Sequence, residues 1–200
     1  MRRIFSRSEP VDWLIVGLGN PGSSYEWTPH NVGFQVVAEL SRRWDLGRPR
    51  KTFNGLIVSG RVGEPGAPSA RVALLQPLTY MNESGTSAGP ARGSLKVELD
   101  RVIVIHDEID LPFGQIQARI GGGLAGHNGL KSLRKGFGSE QFGRIRIGVG
   151  RPDSTDRKEV SDYVLGRWQQ SDAEVEALVA DAADLAQRIV LGETSLSGSA

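Results

Sequence analysis

The chain has 200 residues, with 24 Lys and Arg against 23 Asp and Glu, three His and no Cys. That length suits one domain, able to bury about 70% of its unfolded surface without disulfide or metal support, and the missing cysteines exclude a disulfide framework, thiolate zinc sites and a cysteine nucleophile. No apolar run reaches the ~20 residues of a membrane span, and the opening MRRIFSRSEPVDW is basic without the apolar stretch of a secretory signal, so a cytoplasmic protein is expected. The net charge of +1 averages over an uneven chain: residues 1–113 carry 13 basic and 12 acidic groups, residues 114–158 carry 9 and 3, and residues 159–200 carry 2 and 8. The middle segment is therefore a basic patch. Of the basic residues 19 are Arg and 5 Lys, and the planar guanidinium fork suits phosphate; genomic base composition also produces an arginine bias, but it does not explain the clustering.

Trp13 to Leu18 is apolar, partly β-branched and closed by glycine, and reads as the first strand. It runs into VGLGNPG, where Gly17, Gly19 and Gly22 spell the G-x-G-x-x-G of a dinucleotide fingerprint. The match is a decoy. In a dinucleotide fold the helix begins within the glycine turn and an acidic residue closes a second strand about 20 positions on, whereas here SSYEW intervenes before the first helix signal and the nearest acid, Glu39, falls inside that helix. The glycines instead make a turn with Asn20 as the polar group at its apex.

Thr28-Pro29 opens a helix, with Thr as N-cap and Pro at the first position, and Val32, Val36, Val37 and Leu40 share its buried face. Strands follow at Leu56 to Val62 and Arg71 to Gln76, joined by a hairpin loop over Gly63 to Ser69. Gly85 to Gly93 resists regular structure, because Gly89-Pro90 should interrupt a helix. Further strands are read at Arg101 to His106, Gln115 to Ile120 and Arg144 to Val149, with a helix from about Asn128 to Lys135 between the last two. A final helix from about Asp172 to Leu191 opens on a Ser171/Glu174 capping box, and Val175, Leu178, Val179, Ala182, Leu185 and Ile189 keep helical spacing. Alternating strands and helices imply a single-domain α/β sandwich with a mixed, mostly parallel twisted sheet flanked by helices. The domain is expected over residues 11–192, with flexible termini at 1–10 and 193–200.

Without cysteine, the neutral-pH bases are three histidines. His30, at about the second position of the first helix, meets the positive end of the macrodipole, which disfavours imidazolium and keeps a neutral base available; an isolated surface cap histidine would look the same. His106 ends the fourth strand beside Asp107, Glu108 and Asp110, at a strand end where sites are built. A polar loop after a buried strand accounts for His106, Glu108 and Asp110, while Asp107 can orient His30 as an aspartate does in hydrolytic triads. His127 lies in GGGLAGHNGLKS, a loop whose amides can meet an anion or simply form a flexible turn. Four of the five asparagines, Asn20, Asn31, Asn82 and Asn128, fall in or beside these glycine-rich motifs; an amide donates and accepts without charge, though turn chemistry alone can place an Asn.

Taken together, LIVGLGNPGSSYEWTPHNVGF, LLQPLTYMNESG, VIHDEIDLPFGQIQARIGGG, GHNGLKSL and FGRIRIGVGRP, in order from Leu14 to Pro152 and followed by VSDYVLG, closely resemble the bacterial-type peptidyl-tRNA hydrolases. The resemblance implies a monomeric α/β enzyme that needs no metal or other cofactor, has no membrane partner and cleaves the ester between a peptide and the 3′ ribose of tRNA. It implies His30 as catalytic base, Asp107 as its orienting partner and Asn20 beside them. Asn82 and Asn128 then bind peptide and acceptor end, Tyr25 and Met81 line the cleft, and Arg119 and Arg146 clamp a tRNA phosphate. GTSAG, Gly85 to Gly89, spells G-x-S-x-G, but no strand runs directly into it as a nucleophile elbow requires, which favours direct attack by water over an acyl-enzyme. The chain departs from the family at Pro29, where Arg is usual, in the GGGLAGHNG loop, where Leu124 and Ala125 replace His and Gly, and in the GTSAGPARGS stretch, which is poor in the helix formers usual after the YMN motif. Two alternatives remain at this point: a non-catalytic RNA-binding relative of the intron-splicing type, and a metallohydrolase using His106, Asp107, Glu108 and Asp110.

Overall fold

The computed structural model describes residues 10–198. Strands are β1 (Trp13–Gly17), β2 (Arg50–Thr52), β3 (Gly55–Val62), β4 (Ala70–Pro77), β5 (Val102–Glu108), β6 (Ile116–Ile120), β7 (Gly143–Gly148) and β8 (Ser197–Gly198); helices are α1 (Val32–Arg43), α2 (Ser84–Leu95), α3 (Asn128–Phe137), α4 (Arg157–Leu165) and α5 (Asp172–Val190). They form one sheet in the order β2-β3-β4-β1-β5-β7-β6-β8. The centre β4-β1-β5-β7 is parallel, and the β2-β3-β4 and β6-β7 pairings are antiparallel. The six strands and three helices expected from sequence are all present.

Helices cover both faces, as the apolar runs of the central strands require. On one face Ile15, Ile103, Ile105, Ile145 and Ile147 pack against Val32, Val36, Val37 and Leu40 of α1 and Val175, Leu178 and Ala182 of α5. On the other, Leu14, Val16, Val102 and Val104 pack against Ala88 and Ala91 of α2 and Leu130 and Leu133 of α3. The parallel core brings the carboxyl ends of β1, β4 and β5 to one edge, and the chemistry-bearing turns lie there.

Four departures from the sequence reading have physical causes. Gly85 to Gly93 is helical, as part of α2. Gly85 lies against the Ser132 backbone and Gly89 against Gly136, so the small residues permit a close α2–α3 approach whose packing outweighs poor intrinsic propensity. Pro90 is exposed, as is Thr86 four residues before it, so the carbonyl that loses its helical partner sits on the wet side. Next, α1 begins as a 3-10 turn at Pro29–Asn31, and Thr28 makes no side-chain cap; its hydroxyl donates to the Tyr25 carbonyl at 2.9 Å instead. Third, α4 was not expected, because of its side chains only Val164 is buried; Asp156 caps it by accepting from Lys158 and Glu159 amides. Finally, the expected flexible tail from residue 193 continues into β8, which pairs parallel with β6, and Leu196 packs against Gly143. Residues 1–9 and 199–200 of the expected flexible termini lie outside the described residues.

Ala125 is held at φ +45°, a left-handed conformation that costs an L-residue about 1 kcal/mol. Ala125→Gly should therefore raise the unfolding free energy by about 1 kcal/mol, read by urea titration; an unchanged midpoint would show that the loop relaxes without cost.

Candidate active site

The turn after β1 is set by close packing. A side chain at Gly17 would strike the Gly33 backbone of α1, and one at Gly19 would strike the Phe34 ring; these glycines let the helix start lie across the strand end, which answers the G-x-G-x-x-G decoy. The Asn20 backbone is then clamped from both sides by Asn31, whose Oδ1 accepts from the Asn20 amide at 2.8 Å and whose Nδ2 donates to the Asn20 carbonyl at 2.9 Å. Asn20 Oδ1 accepts from the Met81 amide at 2.8 Å. That bond fixes the orientation of the Asn20 amide, so its two N–H donors point away from Met81. Met81, itself buried, abuts Gly129 at the start of α3, which ties the three turns together.

His30 Nδ1 lies 2.9 and 3.0 Å from the two carboxylate oxygens of Asp107. Burial alone would lower the His30 pKa, but the charge of Asp107 and the hydrogen bond to it outweigh burial and raise it above the ordinary 6.5. This reverses the expectation from the helix dipole. Burial would likewise raise Asp107, yet attraction to His30 and then His127, with hydrogen bonds from both rings, holds it well below the usual carboxylate range. With its hydrogen on Nδ1, His30 presents the Nε2 lone pair outward.

His127 was not placed with this pair by sequence. Its Nδ1 accepts from the Gly129 and Leu130 amides at 3.1 and 3.4 Å, capping α3, and its Nε2 donates to Asp107 Oδ1 at 3.0 Å. The cap fixes the tautomer, because a nitrogen that accepts cannot carry the hydrogen. His30, Asp107 and His127 bring three ligand atoms within 4.8 Å of one another, but a metal on His127 Nε2 would require a hydrogen on Nδ1 where two backbone N–H groups already point. That donor set suits a hydrogen-bonded carboxylate better than an ion.

The other acidic candidates diverge. His106 and Glu108 alternate to the sheet face opposite Asp107. His106 Nδ1 donates to the Asp107 carbonyl at 2.7 Å, and burial, first among the causes, lowers its pKa to about 3. Glu108 pairs with Arg146 at 3.0 Å and Asp110 with Arg151 at 2.8 Å. The four residues of the metallohydrolase alternative do not converge.

Asn82, in the 3-10 turn Met81–Glu83, and Asn128, the first residue of α3, are exposed beside this cluster. Tyr25 is half-buried over the Gly22 turn. On the neighbouring strands Arg119 of β6 stands opposite Arg144 of β7, and Gln117 opposite Arg146. Arg144 is buried, donates to the Gly122 and Gly123 carbonyls at 2.9 and 2.8 Å, and has its pKa lowered to about 10 by burial and then by the charges of Arg119 and Arg146. The Arg119 guanidinium lies against Gly122, where any side chain would collide. Three of the nine basic residues of the middle segment thus gather into an arginine cluster on β6 and β7.

The family model described as peptidyl-tRNA hydrolase matches residues 14–197. The chain belongs to the peptidyl-tRNA hydrolase family. It is 46% identical over 178 residues to the peptidyl-tRNA hydrolase of Geobacillus kaustophilus, covering 88% of this chain and 92% of that protein. Identity to that of Kineococcus radiotolerans is 41% over 185 residues, covering 90% and 91%. The crystal structure of peptidyl-tRNA hydrolase from Acinetobacter baumannii superposes with a TM-score of 0.76 at 34% identity, over 93% of this chain and 92% of that one. A PAC2 family protein from Streptomyces avermitilis, at 17% identity and a TM-score of 0.52, shares the fold alone.

Of the three single-residue departures from the family pattern, Ala125 carries backbone strain, while Pro29 and Leu124 are accommodated by the local geometry. Pro29 is buried and starts the turn that carries His30. Leu124 packs on the α2–α3 core cluster while its carbonyl accepts from the His127 amide at 2.8 Å, so it anchors the loop ahead of His127. Asn31 is the residue whose role sequence understated. Asn31→Ala leaves an amide and a carbonyl of Asn20 unpaired in a buried turn and should cost about 2 kcal/mol or more, with activity falling alongside. Denaturant unfolding and steady-state rates check this; a variant as stable as wild type would show that water replaces both bonds.

Proposed function

We propose that the protein hydrolyses the ester joining a peptide to the 3′-terminal ribose of tRNA, by attack of water assisted by His30. The observation that carries the reading is the His30 Nδ1–Asp107 bond, which leaves Nε2 as the base. Water gives its proton to Nε2 as its oxygen adds to the ester carbonyl; the tetrahedral intermediate collapses, the C–O bond to the ribose breaks, and the imidazolium returns the proton to the departing ribose oxygen. Asp107 stabilises that imidazolium, consistent with the raised pKa of His30.

Amide donors at Asn20 and Asn82 face the developing oxyanion, where one donor is typically worth about 10² to 10³ in rate. Asn128, Tyr25 and Met81 hold peptide and acceptor end, and Arg119 with Arg146 meets a tRNA phosphate. Among the described residues no helix is long and apolar enough to cross a membrane, and we take the enzyme to act as a monomer in the cytoplasm. A binding-only relative has no use for a base, orienter and amide donors in this arrangement.

Protein stripped with EDTA and assayed for tRNA release should keep full activity; loss that is restored only by a divalent ion would overturn the metal-free mechanism. Arg119→Ala should weaken tRNA binding and flatten the slope of log affinity against log salt by about 0.9. An unchanged slope moves the phosphate site elsewhere.

A further inference from the structure

Arg146 has five N–H donors, and its neighbours take three of them. Nε and Nη2 meet Glu108 Oε2 at 3.1 and 3.0 Å, and Nη1 donates to Gln117 Oε1 at 2.9 Å. Two donors, one on each Nη, are left without a partner among the described residues. Glu108 is itself buried, and its other oxygen accepts from the Asp110 amide at 3.2 Å, so the carboxylate is a fixed support. The pair lies on the other sheet face one strand position from Asp107, since Glu108 follows Asp107 in β5 and Arg146 stands opposite His106 in the β5–β7 register. Arg119, Arg144 and Arg146 share one sheet face; Glu108 bonds Arg146 directly, while Glu140 and then Glu108 act on Arg144 through their charge.

We infer that Glu108 is a positioning residue for phosphate recognition: it locks the Arg146 guanidinium with its two remaining donors presented as a fork, and it subtracts one positive charge from the arginine cluster. The fork supplies geometry, since paired guanidinium donors match two phosphate oxygens. The buried carboxylate keeps the grip from being as strong as three uncompensated arginines would make it, so a spent tRNA leaves more readily. This rests on the reading of Arg146 as a tRNA contact.

The test is binding of fluorescent deacylated tRNA by wild type, Glu108→Gln, Arg146→Ala and the double variant, over salt from about 50 to 200 mM. Glutamine keeps an acceptor for Arg146 and removes the charge. Glu108→Gln should bind about threefold or more tighter at low salt, from a unit charge removed near the phosphate, with a slope steeper by up to about 0.9. The double variant should bind more tightly than Arg146→Ala alone by a smaller factor than Glu108→Gln tightens the wild type, because Glu108 also acts on Arg144. Unchanged or weaker binding by Glu108→Gln overturns the inference, as does equal tightening in the Arg146→Ala background, which would make Glu108 a general charge and not a partner of Arg146. If Arg146→Ala binds as wild type does, the tRNA contact at Arg146 falls first and the inference with it, a result distinct from the other two.

Discussion

His30→Ala is expected to lower kcat for tRNA release by about 10² to 10⁴, the usual worth of a positioned general base, with KM and tRNA affinity nearly unchanged. The split follows from where the side chain sits. Its Nδ1 edge is taken by Asp107, and among the described residues no hydrogen bond of the ring holds the backbone turn, which Asn31 clamps. Truncation therefore removes the base without removing the scaffold. A parallel rise in KM would mean that His30 binds substrate, and an unaltered kcat would mean that another group takes the proton.

Asp107→Asn is expected to be nearly as damaging, about 10² to 10⁴ in kcat, and to move the pH profile as well. An asparagine keeps the size of the side chain but offers one acceptor oxygen where the carboxylate serves two ring N–H donors, so at least one histidine is turned toward the wrong tautomer, the failure expected when a triad aspartate becomes an amide. The sign of the pH effect follows from the causes acting on His30. Burial lowers its pKa and Asp107 raises it by charge and hydrogen bond, so loss of the carboxylate leaves burial in command and the pKa falls. A base works when neutral. In wild type the rate should drop as pH falls through a value above 6.5, and in the variant that limb should lie at lower pH. Rates across about pH 5 to 9 read both; a limb that stays in place would show that Asp107 does not act through His30.

The fold was largely legible in sequence because its signals are local. β-Branched runs bounded by Gly, Pro or Asp marked the strands, and the Ser171/Glu174 pair marked α5, where both halves of the capping box are made. α2 was illegible because its reason for being helical is the Ser132 and Gly136 backbone of another helix, and a single segment carries no trace of that contact. α4 leaves little sequence signal because its apolar face is thin, with Val164 its one buried residue.

The site divides the same way. His30 and Asp107 stand at a helix start and a strand end, where chemistry is usually built, and the resemblance to peptidyl-tRNA hydrolases joined them. The direction of the His30 shift was not legible, since the dipole argument used only local position while the carboxylate that decides it is 77 residues away. The His127 contact was hidden for a similar reason. It depends on Gly126 at φ +76° and Ala125 at +45° turning the loop so that Nδ1 caps α3 and Nε2 reaches Asp107. The one available signal was scarcity: with three histidines and no cysteine, a histidine beside Asn128 in a glycine loop was a candidate partner for the carboxylate.

An enzyme of this geometry turns over peptidyl-tRNA, where a binding module would only hold it. The most direct measurement is release of free tRNA from a purified peptidyl-tRNA by the wild-type protein, followed against spontaneous hydrolysis, with binding of the same substrate by His30→Ala recorded alongside. Wild type should release tRNA catalytically, and the variant should bind with little release. Binding by both with no release above the spontaneous rate would contradict turnover and leave an RNA-binding protein in place of an enzyme.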